Sequence, residues 1–258
     1  MIVRYERNGK VKHGWLVEAA QKVRVIEGDV YKTDGQKPVM TGLELPLADV
    51  RLLAPCTPSK VVCIGVNYKD HAQEMGIELP KEPLMFLKPA TTVIGPGEAI
   101  VHPSLTENLH YEGELAVVIK KPARRIKAEE AEEYILGYTC AIDVTARDLQ
   151  QRDGQWTRAK GFDTFCPLGP AIAPKLDHRN LRIVTKVNGE VRQDSSTSQL
   201  VFDVPQLLEA ITAVMTLLPG DVVLTGTPSG VGQVRVGDEI SVTIEGIGTL
   251  TNRVVAEE

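Results

Sequence analysis

Three acidic side chains and one histidine–glutamate pair carry the chemistry legible in the residue types. In the segment from His110 to Ile119, Glu112 and Glu114 stand two apart at the head of an apolar run. Alternate residues of a strand share a face, so the two carboxylates project together. At about 4 Å in partly buried surroundings such a pair repels by about 4 kcal/mol unless a proton or a cation lies between them. A divalent metal is one resolution and a solvated strand edge is the other, and spacing alone leaves both standing. Asp143, which ends the apolar strand Cys140-Ala141-Ile142, is placed to add a third carboxylate, with Arg147 and Gln150 following it. Three oxygen donors suit Mg²⁺ or Mn²⁺, whereas zinc calls for histidine and cysteine. His110, in phase with both glutamates, would shift the choice towards a softer metal if it bound.

His71 and Glu74 lie three apart in a short helical segment closed by Gly76, so they share a face and the acid can orient the imidazole as a general base requires. A surface histidine beside a surface glutamate is the plainer reading of the same spacing. Thr225-Gly226-Thr227-Pro228-Ser229-Gly230 places small residues after a strand, where backbone amides can approach an anion. It lacks the Gly-Lys-Ser/Thr ending of a phosphate loop, and a tight turn accounts for it equally.

The elements that must position these groups are mostly strands. Residues 1 to about 50 read as a β-meander, Ile2–Arg7, 14–20 and 22–27, with turns at Asn8-Gly9, Gly28-Asp29 and Thr33-Asp34-Gly35. A proline-bearing stretch from Ala54 to Ser59 then resets the chain. This divides it into a small N-terminal β domain, 1–56, and a larger domain, 57–258. Further strands are expected at 60–65, 84–88, 111–120, 137–144, 182–187, 221–226 and 239–244, with a hairpin at Asn188-Gly189. Two helices are expected: 128–136, stopped by a left-handed cap at Gly137, and 205–218, whose Leu207, Leu208, Ile211, Val214, Met215 and Leu218 form a core stripe.

Composition narrows the partners. The 258 residues are 43% hydrophobic and 24% charged, an ordinary globular balance able to bury a core. Twenty-nine basic against 34 acidic residues, scattered along the chain, disfavour nucleic acid or an anionic membrane. Four separated cysteines without a Cys-x-x-Cys pair read as buried free thiols. The N-terminus shows no export signal and no window has the length of a spanning helix, so a soluble, cytoplasmic protein is expected.

Taken in order, Gly65-x-Asn67-Tyr68-x-x-His71-x-x-Glu74, Phe86-Leu87-Lys88-Pro89, Glu112-x-Glu114, Asp143-x-x-x-Arg147-Asp148-x-Gln150, Lys160-Gly161-Phe162-Asp163, Gly169-Pro170 and Thr225-Gly226-Thr227-Pro228-x-Gly230 resemble the fumarylacetoacetate hydrolase family over roughly residues 58 to 255. The resemblance implies a β-rich α+β fold, a mixed β-roll with peripheral helices, and a homodimer. It implies Mg²⁺ or Mn²⁺ held by Glu112, Glu114 and Asp143, a His71–Glu74 dyad on a segment closing over the ligand (70–83), and an active-site lysine at Lys160. Arg147, Gln150, Thr227 and Lys88 match positions near the substrate. The implied substrates are small 2-oxo acids and their enols, for which the metal acts as a Lewis acid. The expected activity is that of a 2-hydroxyhepta-2,4-diene-1,7-dioate isomerase (tautomerase/decarboxylase) of aromatic catabolism. Oxaloacetate decarboxylase or acylpyruvate hydrolase is the alternative, and a non-catalytic, metal-stabilised binding protein the remote one. Residues selecting chain length are expected in 151–158 and 193–199.

Overall fold

The computed structural model describes residues 1–32 and 38–258, so the expected turn at Thr33-Asp34-Gly35 lies outside the described residues. A twelve-stranded mixed sheet forms the frame. In spatial order its main path runs Val39–Pro46, Lys22–Glu27, Lys10–Val17, Ile2–Arg7, Cys166–Ala173, Ile135–Ile142, Gly113–Ile119, Val222–Leu224, Lys60–Gly65 and Leu84–Pro89. The first four strands form a meander in which Ile2–Arg7 and Lys22–Glu27 fall as expected, the second strand is Lys10–Val17 rather than 14–20, and Val39–Pro46 is additional; they join the rest because Ile2 pairs with Ile172. A second sheet of five strands, ordered Glu190–Ser196, Arg182–Val187, Glu239–Ile244, Gly248–Ala256 and Ile100–His102, packs against one face of the first. The result is β-rich α+β with few helices. Among the described residues no helix is long and apolar enough to cross a membrane.

Alternation explains why the strand Gly113–Ile119 sits at the centre. Leu115, Val117 and Ile119 enter the core shared with the second sheet, where Ile183, Val242 and Leu250 meet them. Ala116 and Val118 face the other way, onto Val61, Cys63 and Leu224. Each full burial of a branched side chain contributes roughly 1.5–3 kcal/mol, so a strand apolar on both faces is driven inside. Glu114, in phase with Ala116 and Val118, is carried in with it.

Two helical expectations need correction. Residues Ala128–Tyr134 form a 3-10 helix and the chain is already a strand at Ile135. Gly137 is no helix cap but a strand residue opposite Val118, where a Cβ would lie 2.6 Å from the Ala173 carbonyl oxygen. Glycine is there for close strand packing. The second helix is Val204–Val214, started by a capping box in which Asp203 and Gln206 satisfy one another's backbone amides. It ends before the expected Leu218 because Leu217 exchanges both backbone bonds with Ala123. Leu207, Leu208 and Ile211 are core residues as expected, whereas Val214 and Leu218 are exposed.

Candidate metal centre and its histidine–glutamate dyad

Strand register brings the three acids together. Gly113 pairs with Ile142, so the residues flanking that pair, Glu112 and Glu114 on one side and Asp143 on the other, converge at one strand end, and Asp143 N–H donates to the Glu112 carbonyl at 2.8 Å. All three carboxylates are buried, and one oxygen of each lies within 4.8 Å of the others. Burial excludes the reading of a solvated strand edge.

Cations answer two of them. Lys160 Nζ donates to Glu112 Oε2 at 2.8 Å and to Asp143 Oδ2 at 2.7 Å. Lys88 Nζ donates to Asp143 Oδ1 at 2.6 Å, and Arg147 closes on Glu112 Oε1. Burial works against the charge of Glu112, but the Lys160 ammonium and the Arg147 guanidinium outweigh it and hold the carboxyl well below the usual range. Burial likewise opposes the charge of Lys160, and Asp143 and Glu112 reverse that, raising it. Glu114 differs. It accepts a bond from Gly226 N–H at 2.7 Å and, among the described residues, ion-pairs with no lysine or arginine. Burial first, then the neighbouring Asp143 and Glu112 charges, push its carboxyl far up, so without a further cation it keeps its proton.

This donor set fits a divalent cation of the Mg²⁺ or Mn²⁺ kind, because it offers three carboxylates and neither sulfur nor imidazole. His110 stays outside. Its Nε2 pairs with Asn108 Oδ1 at 2.9 Å, and burial with the nearby Arg147 pushes it down to about 4, leaving it neutral. The four cysteines are free and buried as expected, and burial pushes Cys56 and Cys140 up to about 12, out of reach of a thiolate role.

The helix Lys69–Met75 presents the dyad. His71 Nδ1 lies 3.1 Å from Glu74 Oε2, and Gly230 N–H donates to both Glu74 oxygens, at 3.0 and 3.2 Å. Donation from Nδ1 to the carboxylate leaves Nε2 with a free lone pair. His71 lines the same cavity of about 110 Å³ as Glu112, Glu114, Asp143, Arg147, Gln150, Lys160 and Thr227. The structure therefore places eight of the expected site residues on one cavity wall, with Glu74 joined to it through its bond to His71. Lys88 joins it from behind, through its bond to Asp143. It is fully buried behind Asp143, donating also to the Val144 carbonyl, and does not line the cavity.

Of the apolar wall of that cavity, the sequence pointed only to the 151–158 segment that carries Trp156, and assigned no role to the other residues. Ile64, Val66, Met75, Phe86 and Trp156 line it, with Phe86 and Trp156 edge-to-face at 5.0 Å. Nothing local marks them, since they come from distant segments. Thr227 lines the cavity with its proton already spent on the Gly113 carbonyl at 2.9 Å.

Residues 60–255 match the model of the fumarylacetoacetate (FAA) hydrolase C-terminal family, and residues 1–55 match the Rv2993c-like N-terminal family. Among solved structures, the chain is similar to 2-hydroxyhepta-2,4-diene-1,7-dioate isomerase from Mycobacterium marinum, with 47% identity and a TM-score of 0.91 over 99% of this chain and 98% of that one. It is also similar to fumarylpyruvate hydrolase from Pseudomonas aeruginosa in complex with Mn²⁺ and pyruvate, with 39% identity and a TM-score of 0.74 over 80% of this chain and 92% of that one. The mitochondrial oxaloacetate tautomerase FAHD2B of Homo sapiens is 47% identical over 224 residues, 82% of this chain and 71% of that protein.

Proposed function

This chain is an enzyme of the fumarylacetoacetate hydrolase family, and on that premise we propose that it is a divalent-metal-dependent isomerase of 2-oxo and 2-hydroxydienoate dicarboxylic acids, with 2-hydroxyhepta-2,4-diene-1,7-dioate as the leading substrate. One observation carries the reading: three buried carboxylates, a buried lysine bridging two of them, and an acid-oriented histidine share a single cavity.

Charge balance supports a doubly negative substrate. Glu112, Glu114 and Asp143 ionised supply three negative charges, and Lys88, Lys160 and Arg147 supply three positive ones. A divalent ion then leaves the site at plus two, which a dicarboxylate neutralises. Bound there, Mg²⁺ or Mn²⁺ supplies Lewis-acid polarisation of the substrate's 2-oxygen. Lys160 and Arg147 add fixed positive charge where the substrate's own negative charge grows. His71 Nε2 takes the 2-hydroxyl proton and returns one to carbon 5, so an O–H bond breaks, a C–H bond forms, and the composition is unchanged. Glu74 stabilises the imidazolium between the two transfers. The working form in this reading is a homodimer.

A second reading, an oxaloacetate tautomerase, is favoured by the 47% identity to the mitochondrial oxaloacetate tautomerase FAHD2B over 82% of this chain. The same residues serve it. To test both, purified protein is assayed with Mg²⁺, Mn²⁺ or chelator on the dienoate, on oxaloacetate enol and on acetylpyruvate, beside Glu114→Ala. Chelator-sensitive isomerisation lost in Glu114→Ala supports the proposal, and the better substrate decides between the readings. Turnover indifferent to chelator and to the variant overturns it, and hydrolysis of acetylpyruvate without isomerisation replaces it with a hydrolase.

A further inference from the structure

The outer strand of the second sheet, Glu190–Ser196, touches three of the site's segments without lining its cavity. Gln193 is 1% exposed and spends its whole amide on two of the site's segments. Its Oε1 accepts from Gly113 N–H, between the two glutamates, at 3.0 Å. Its Nε2 donates to Thr227 Oγ1 and to the Pro228 carbonyl, both at 2.8 Å. Ser195, two residues on and so on the same face, donates to Asp70 Oδ2 at 2.6 Å, and Asp70 Oδ1 accepts from the backbone N–H of His71 at 2.8 Å. Just before Gln193, Arg192 packs its carbonyl so tightly on Gly230, the residue that anchors Glu74, that a Cβ there would fall 2.0 Å from it.

Two residues apart on a strand is about 7 Å, a rigid interval. We infer that Gln193 and Ser195 are positioning residues, Gln193 setting the metal carboxylates and Ser195 setting the helix of the His71–Glu74 dyad, so that this one strand fixes the spacing between metal and base. The inference rests on the functional reading above and assigns it two residues that touch neither metal nor substrate. A segment expected to select chain length, 193–199, is here a strut.

Supporting partners of metal ligands typically change affinity by about 10–100-fold when removed. Mn²⁺ is titrated calorimetrically into metal-free wild type, Gln193→Leu, Ser195→Ala and Val187→Ala, the last a core truncation in the neighbouring strand that touches no carboxylate. The expected result is binding weakened about tenfold in Gln193→Leu and unchanged in Ser195→Ala. Val187→Ala loses melting temperature and keeps its affinity. Ser195→Ala instead speeds deuterium uptake in residues 69–75 and lowers kcat, and Ser195→Thr, which retains the hydroxyl, restores both. Gln193→Leu binding Mn²⁺ as tightly as wild type, Val187→Ala weakening it equally, or Ser195→Ala leaving exchange and kcat unmoved overturns the inference alone. A wild-type chain that takes up no Mn²⁺ overturns the functional reading with it.

Discussion

The two halves of the site are built on opposite terms. At the carboxylate end Glu112 and Asp143 are buried and answered by cations, with buried Lys88 and Lys160 and half-buried Arg147 arrayed behind or beside them, and Glu114 alone is left without one. At the dyad end the helix has seven residues, and the Glu74 side chain is 41% exposed. Its anchorage is a few hydrogen bonds, from Gly230 and Ser195. Charges brought together in low dielectric must be compensated in place, which demands a rigid frame. A proton-transfer group needs only orientation, and can sit on an element loose enough to admit substrate.

Breaking the rigid end should cost most. Glu114→Ala is expected to abolish metal-dependent turnover, read as activity equal to the chelated wild type. Lys160→Met leaves Glu112 and Asp143 without their shared cation, and removing one partner of such a buried pair costs roughly 3–5 kcal/mol, seen as a lowered denaturant midpoint. At the looser end His71→Ala should lower kcat by about 10²–10⁴ while Mn²⁺ affinity and melting temperature hold, because only proton transfer is lost. If His71→Ala weakens Mn²⁺ binding, the two ends are not independent.

A smaller effect sharpens the contrast through pH. Glu114 binds its proton more strongly folded than unfolded, where a glutamate has a pKa of about 4.3. Its contribution to the metal-free fold is therefore full below that value and is lost as pH rises towards the raised one. The melting temperature of chelated wild type should fall relative to Glu114→Gln as pH is raised from 5 to 8, read by calorimetry at each pH, and Mn²⁺ uptake should release a proton. The least effect belongs to the surface. Arg182→Ala breaks an exposed pair with Asp194 and should leave the melting temperature nearly unmoved, with turnover intact.

The part of this design legible in the residues is the part written locally. Glu-x-Glu before an apolar run, and His-x-x-Glu closed by glycine, announce themselves within five residues. The strands 2–7, 22–27, 182–187 and 239–244 fall where alternation places them. Its place at a strand end suggested Asp143 as a third carboxylate, while only the resemblance made it a ligand and pointed to Lys160. The 128–136 segment misled because acids followed by glycine resemble a helix end, while the need for Gly137 arises from Ala173, a neighbour 36 positions away that only strand pairing reveals. Gln193 was invisible for the same reason: its partners Gly113 and Thr227 are 80 and 34 positions distant. Polar residues whose work is wholly non-local carry no pattern.

The edge-to-face pair of Phe86 and Trp156 at the cavity wall has an optical side. The chain holds two tryptophans, and the other, Trp15, belongs to the N-terminal meander. A Trp15→Phe protein would carry its sole indole beside the carboxylates, so Mn²⁺, a paramagnetic quencher, should dim its emission on arrival where Mg²⁺ does not. Filling of the site could then be followed in milliseconds by stopped flow, with the molecule supplying its own lamp.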